Sequence, residues 1–258
     1  MIMTTLNSED FMLSKEECKT AMDQWSLLLS NFPEVKKLIP ANYIFEINKG
    51  HLDWMRGNSE YPEFCAGVGV YKENLIIILY PMDENGLRRN MEEYPCSLLC
   101  PLAYDLKLQE IQQYTVVKNA LLSKDLQNID KNADMSFPIS SKPVLEQDKA
   151  IEAIERWRNE GMDWFYQECT VYKGTRIFTK FYVPTEDLCL SNKNLTRIVC
   201  SFGLRYSDIY GRMLVTLIFI SFLENLESNN TGSSAITEAN TYDWAKPCPP
   251  ICRIPDAI

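Results

Sequence analysis

Ala21-Met22-Asp23-Gln24-Trp25 returns 132 residues later as Ala153-Ile154-Glu155-Arg156-Trp157. Around this pair, three further landmarks recur in the same order. Phe45-x-Ile47 with Leu52 returns as Phe181-x-Val183 with Leu188, at an offset of 136. Cys65 with Tyr71 returns as Cys200 with Tyr206, at 135, and Pro95-Cys96-x-x-x-Cys100 as Pro247-Cys248-x-x-x-Cys252, at 152. Offsets that hold nearly constant over three landmarks and then grow once are the trace of duplication followed by a loop insertion.

The local patterns give each half its elements. Ser14 and Glu17 form a capping-box signature ahead of an apolar stripe at Cys18, Ala21, Met22, Trp25, Leu28 and Leu29, the spacing of one helix face. Shifted by 132, Cys18, Ala21, Met22 and Trp25 become Ala150, Ala153, Ile154 and Trp157. The buried face is itself repeated, and both tryptophans are expected to anchor a helix on a sheet. Extended segments follow at 43–47 and 176–183, then two apolar runs per half, 64–71 with 75–82 and 197–206 with 213–222, each pair split by a polar turn as antiparallel hairpins are. Gly67 and Gly69 lack the third glycine of a dinucleotide fingerprint and are read as bends or points of close helix approach.

The fold class expected is α+β, with two similar tandem domains, each a helix packed on a small antiparallel sheet. Residues 1–127 form the first repeat with an extra helix at 107–127, and 128–144 are the linker. Residues 145–258 form the second repeat, with a mobile loop at 225–240 and a Cys/Pro tail.

A formal charge of −9 works against nucleic acid and anionic membranes, which need basic patches, and no local basic patch stands out. Up to Ser140 there are 13 basic and 20 acidic residues, against 13 and 15 after it, so the first half suits a basic protein partner. The first residues show no signal-peptide pattern, and the run Met213 to Phe222 is about half of what spans a bilayer. The location expected is therefore cytoplasmic, with the nine cysteines as thiols.

Chemistry is scarce. Cys96, Cys100, Cys248 and Cys252 are the zinc candidates, should the two halves meet with their thiolates converging. Their three-residue spacing is wider than that of a zinc knuckle, so packed free thiols are the expectation and no metal is assigned. His51, the single histidine, falls in a turn and is expected at the surface or at a cap, which leaves cysteine and serine nucleophiles without a base. No catalytic residue, cofactor-binding residue or cofactor is assigned.

With these landmarks in place, the chain resembles a group of small uncharacterised bacterial proteins that carry a helix and strand-pair domain and a Pro-Cys-Pro-Pro-x-Cys tail. The matching residues are 181–188 (FYVPTEDL), Ile77 to Tyr80 followed by Met82-Asp83-Glu84-Asn85-Gly86, and Pro247-Cys248-Pro249-Pro250-Ile251-Cys252. The first half departs at Asn48, where the proline would stand, and at Ser97-Leu98. The resemblance implies the duplication and supplies no site residues. The functional expectation is a non-catalytic protein-binding or scaffolding protein; an enzyme of unrecognised type, such as a hydrolase, and a metal-binding module using the cysteine pairs are the alternatives.

Overall fold

Ser14 closes a short strand and opens the first helix. Its hydroxyl accepts from the Glu17 backbone N–H at 3.3 Å, while the Glu17 carboxylate accepts from the Ser14 N–H at 3.0 Å and from its hydroxyl at 2.7 Å. Such a cap contributes about 1 kcal/mol. The Ser14 hydrogen bonds also hold the Glu17 carboxyl below its ordinary value. Helix α1, Lys15–Leu28, then buries Cys18, Ala21 and Trp25, the stripe that its sequence predicts.

The structure is a computed structural model and describes residues 11–40, 42–101, 147–184, 195–223 and 238–252. The expected helix at 107–127, the linker, and all but the last residues of the 225–240 loop lie outside them. After α1 come α2, Phe32–Leu38, β2, Tyr43–Asn48, and α3, Lys49–Asn58. Strands β3, Glu63–Tyr71, β4, Asn74–Tyr80, β5, Glu93–Leu98, and β6, Cys100–Pro101, complete the first half; β1 is Met12–Ser14. The second half has α4, Gln147–Thr170, β7, Lys180–Pro184, β8, Leu195–Ser207, and β9, Arg212–Leu223. Its last strands are β10, Glu238–Trp244, and β11, Lys246–Cys248.

The strands form two antiparallel sheets, in the orders β1-β5-β4-β3-β7-β11 and β10-β9-β8-β2-β6. Laid side by side, five strands of each sheet fall in corresponding order, β5 with β10, β4 with β9, β3 with β8, β7 with β2, and β11 with β6, and β1 has no counterpart among the described residues. The halves exchange strands, because β2 of the first pairs with β8 of the second and β7 of the second with β3 of the first. This corrects the expectation of two separately closed domains. Both halves belong to one compact unit, since each sheet is incomplete without a strand from the other half.

The inner faces of the sheets pack on each other. Phe64 of β3 meets Phe219 of β9 edge to face across the two sheets, with ring centroids 6.3 Å apart, and within the second sheet Phe45 of β2 meets Phe202 of β8 at 5.6 Å. Both tryptophans reach this central cluster, fully buried, and the Trp25 indole N–H donates to the Phe178 carbonyl at 2.9 Å. The outer face of the first sheet is covered by α1, and Ile218 on the outer face of the second packs with Ala150 and Ala153 of α4. Single residues carry the chain from one sheet to the other. Leu99 donates its N–H to Leu75 at 2.9 Å and Ala245 to Leu217 at 3.2 Å.

Strand register revises two of the four landmarks. Phe45 stands opposite Cys200, and Phe181 stands opposite Ala66. The counterpart of Cys200 is therefore Ala66, at an offset of 134, and Cys65 points to the opposite face, because a one-residue slip turns a strand side chain over. The same offset pairs Gly69 with Gly203. A Cβ at Gly69 would stand 2.9 Å from the Ala21 Cβ, and one at Gly203 would stand 3.3 Å from the Ala153 Cβ. Both glycines let a helix alanine approach its sheet, as the sequence suggested for Gly69.

Candidate functional site

The cysteine pairs divide among different places. Cys96 lies on β5, opposite Ile78, and is buried; its thiol donates to the Tyr94 carbonyl at 3.5 Å and burial, then the neighbouring Cys18 thiol, pushes its pKa well up. Cys100 lies on β6 in the other sheet, half-buried, donating to the Ile44 carbonyl at 3.5 Å. Cys248 ends β11 and is joined to Cys252 by a disulfide, which corrects the expectation of free thiols for that pair. Three strands separate β5 from β11 in the first sheet. Four strand spacings amount to about 19 Å, so Cys96 cannot share a metal with Cys248 and Cys252. Among the described residues no three or more His, Cys, Asp or Glu side chains converge as metal ligands.

The fourth landmark is also shifted. Cys100 pairs with Ile44 and Cys248 with Lys180, and Ile44 and Lys180 each precede a matched phenylalanine by one residue. Cys100-Pro101 is thus the counterpart of Cys248-Pro249, while Cys96 has its own place on β5. His51, expected at the surface or at a cap, lies at the capped first turn of α3, where its backbone N–H donates to the Asn48 side chain at 2.9 Å, but it is buried, 3% exposed.

The arrangement that sequence reasoning missed lies at the end of α4 and the β8–β9 turn. Ser207 pairs with Arg212, so Asp208-Ile209-Tyr210-Gly211 form the loop, with Gly211 at φ +59° closing it. Ile209 stands at this turn 88% exposed, flanked by the exposed Tyr206 and Tyr210. From α4 and the turn that follows, Tyr166 and the 62% exposed Val171 are presented as well.

A buried carboxylate ties the two segments together. Glu168 of α4 is 2% exposed; its Oε1 accepts from Arg176 at 2.8 Å and lies 3.9 Å from Arg212, while its Oε2 has no hydrogen-bond partner among the described residues. Burial raises the Glu168 pKa despite the pull of both arginines. Arg176 also lies over the Tyr172 ring, 3.6 Å from its centroid. The turn that carries Arg176 passes so near α1 that a Cβ at Gly174, φ +75°, would stand 2.4 Å from the Leu29 carbonyl oxygen. Tyrosine, arginine and isoleucine thus share one solvent-facing end, held by a buried charge. Alternation along β8 and β9 predicts the hairpin, but the exposure of its tip depends on how far the strands outrun the core.

No described helix is long and apolar enough to cross a membrane. In comparisons with protein-family models, curated proteins and solved structures, the chain matches none.

Proposed function

We propose that the chain is a non-catalytic protein-binding module that engages its partner through the end formed by the β8–β9 turn and the C-terminal part of α4. The observation that carries this reading is the 88% exposure of Ile209 beside Tyr206, Tyr210 and Val171. Burying such an aliphatic side chain is worth about 1.5–3 kcal/mol, and folding leaves that gain unused here. Tyrosines and arginines around an apolar anchor are the composition of binding hot spots. The carboxylate of Glu168 holds Arg176 by a hydrogen bond and lies 3.9 Å from Arg212, so part of the surface is ordered before a partner arrives. The reading keeps the cytoplasmic location expected from the sequence, and the −9 charge favours a basic protein over nucleic acid or an anionic membrane.

The test is affinity capture from source-cell lysate at low and high salt with the wild-type chain and Ile209→Asp, alongside a screen for hydrolase turnover. A partner held by the wild type and weakened about 30-fold in the variant, as loss of a hot spot of about 2 kcal/mol implies, supports the reading. Equal capture by both, or turnover abolished by a single substitution elsewhere, refutes it.

A further inference from the structure

A cleft on the opposite face of the first sheet has a chemistry of its own. Lys15, Lys19 and Asp23 of α1 form one side, and a tight turn after β4 forms the other, enclosing about 390 Å³. That turn is built by Asp83, whose Oδ1 accepts from the N–H groups of Asn85 and Leu87, both at 2.9 Å, and by Gly86 at φ +73°. It ends on Arg88 and Arg89. The floor is Tyr80 and Tyr94, both buried, with ring centroids 4.5 Å apart.

The charges do not cancel. Arg89 is engaged, donating to Glu60 at 3.0 Å and to the Asn58 carbonyl at 2.9 Å. Lys15, Lys19 and Arg88 have no ion-pair partner among the described residues, and Asp23 is the single acid lining the cleft. Among the described residues, three cations without an ion-pair partner and one carboxylate give the cleft a local charge of +2 in a chain whose total is −9. This corrects the expectation that no basic patch exists. Lys15 and Lys19, four apart on one helix face, and the Arg88-Arg89 pair were visible singly, and the fold brings them together.

The floor adds a second requirement. The Arg88 guanidinium lies over the Tyr80 ring, 5.0 Å from its centroid. The Tyr80 hydroxyl, on a residue 6% exposed, has among the described residues the Met22 thioether as its hydrogen-bond partner, at 3.4 Å. Thioether sulfur is a weak acceptor, so this buried donor is left for a better one. Burial holds the phenol in its protonated form, with the neighbouring Cys18 thiol adding to the effect.

We propose that this cleft binds a small phosphate monoester with a planar apolar body, its phosphate held by Lys15, Lys19 and Arg88 and its body lying against Tyr80 and Tyr94. A phosphate monoester carries about −1.5 to −2 at neutral pH, which matches the free charge, whereas a carboxylate would neutralise half of it. The guanidinium supplies a planar fork and the lysines supply mobile point charges, the usual pairing for phosphate oxygens. The volume lies in the range of small-molecule sites, and the tyrosine floor supplies the apolar wall such sites have.

Calorimetric titration of the full chain with phenyl phosphate, inorganic phosphate and phenol tests this. The expected result is binding of phenyl phosphate below about 1 mM, inorganic phosphate at least tenfold weaker, phenol undetected, and affinity falling as pH drops below the second phosphate pKa of about 6. Lys19→Ala and Arg88→Ala, both at exposed positions, should each weaken phenyl phosphate about tenfold with unchanged unfolding midpoints, the order expected for a charge-assisted contact. Lys36→Ala, on α2, should leave it unchanged. The proposal is overturned if wild-type protein does not bind phenyl phosphate by about 10 mM, if the Lys19→Ala/Arg88→Ala double variant binds as the wild type does, or if inorganic phosphate binds equally well.

Discussion

Gly69→Ala and Gly203→Ala test whether the matched positions carry the same packing. At Gly69 the added Cβ would meet the Ala21 Cβ at 2.9 Å, its backbone carbonyl carbon at 3.1 Å and its oxygen at 3.3 Å. Ordinary contact between carbons begins near 3.5 Å, so α1 must retreat by about 0.6 Å. A gap of that size forfeits a quarter to a half of each contact it opens, and the contacts in question belong to Cys18, Ala21 and Trp25. At Gly203 the closest atom, at 2.6 Å, is the Ile218 Cδ1, the far end of a flexible side chain, and Ala153 stands farther off, at 3.3 Å. A rotamer change there relieves most of the clash. Overpacking costs about 1–3 kcal/mol, from which the lower backbone entropy of alanine returns about 0.5–1. The expected losses are about 2 kcal/mol for Gly69→Ala and under about 1 kcal/mol for Gly203→Ala. Urea unfolding with a shared m-value measures both, and an equal or larger loss at Gly203 would refute the packing argument.

Two further predictions concern titration and thiols. Because burial raises the Glu168 carboxyl above its unfolded value of 4.5, its contribution is fully present below that pH and is lost as pH rises through the folded value. The stability difference between wild type and Glu168→Gln should therefore move against the wild type on raising the pH from 4.5, and a flat or opposite trend in unfolding free energy would count against the buried carboxylate. Glu17 has the opposite sign, its lowered value giving stability that is lost as pH falls, so the comparison needs the variant and not the wild type alone. Alkylation of the denatured, unreduced chain should leave Cys248 and Cys252 unmodified, whereas labelling of both would show that pair reduced.

What the sequence made legible depends on near neighbours, although the short helix α2, Phe32–Leu38, went unread. The Ser14 and Glu17 cap, the Cys18, Ala21 and Trp25 stripe, and the β3–β4 and β8–β9 hairpins all rest on contacts within a few residues or across one turn. Alternation in β2 shows which of its residues are buried, and it carries no information about which strand lies beside it. The pairing of Phe45 with Cys200 is a long-range choice that periodicity cannot see. The same blindness produced the Cys65 and Cys200 match, where two identical residues one register apart face opposite sides of their sheets. Similar spelling likewise aligned Cys96 with Cys248, although strand pairing makes Cys100 the counterpart. The basic cleft is drawn from α1, β4, β5 and the turn between those strands, so its charge emerges only in the fold.

Nuclear Overhauser contacts between backbone protons show whether the two halves exchange strands. Contacts are expected from residues 45–48 to β8, running from Phe45 with Cys200 to Asn48 with Arg197, together with contacts from β7 to β3 that include Phe181 with Ala66. Contacts from Tyr43–Asn48 to β3 and from Lys180–Pro184 to β8, each half closing on itself, would contradict the exchange.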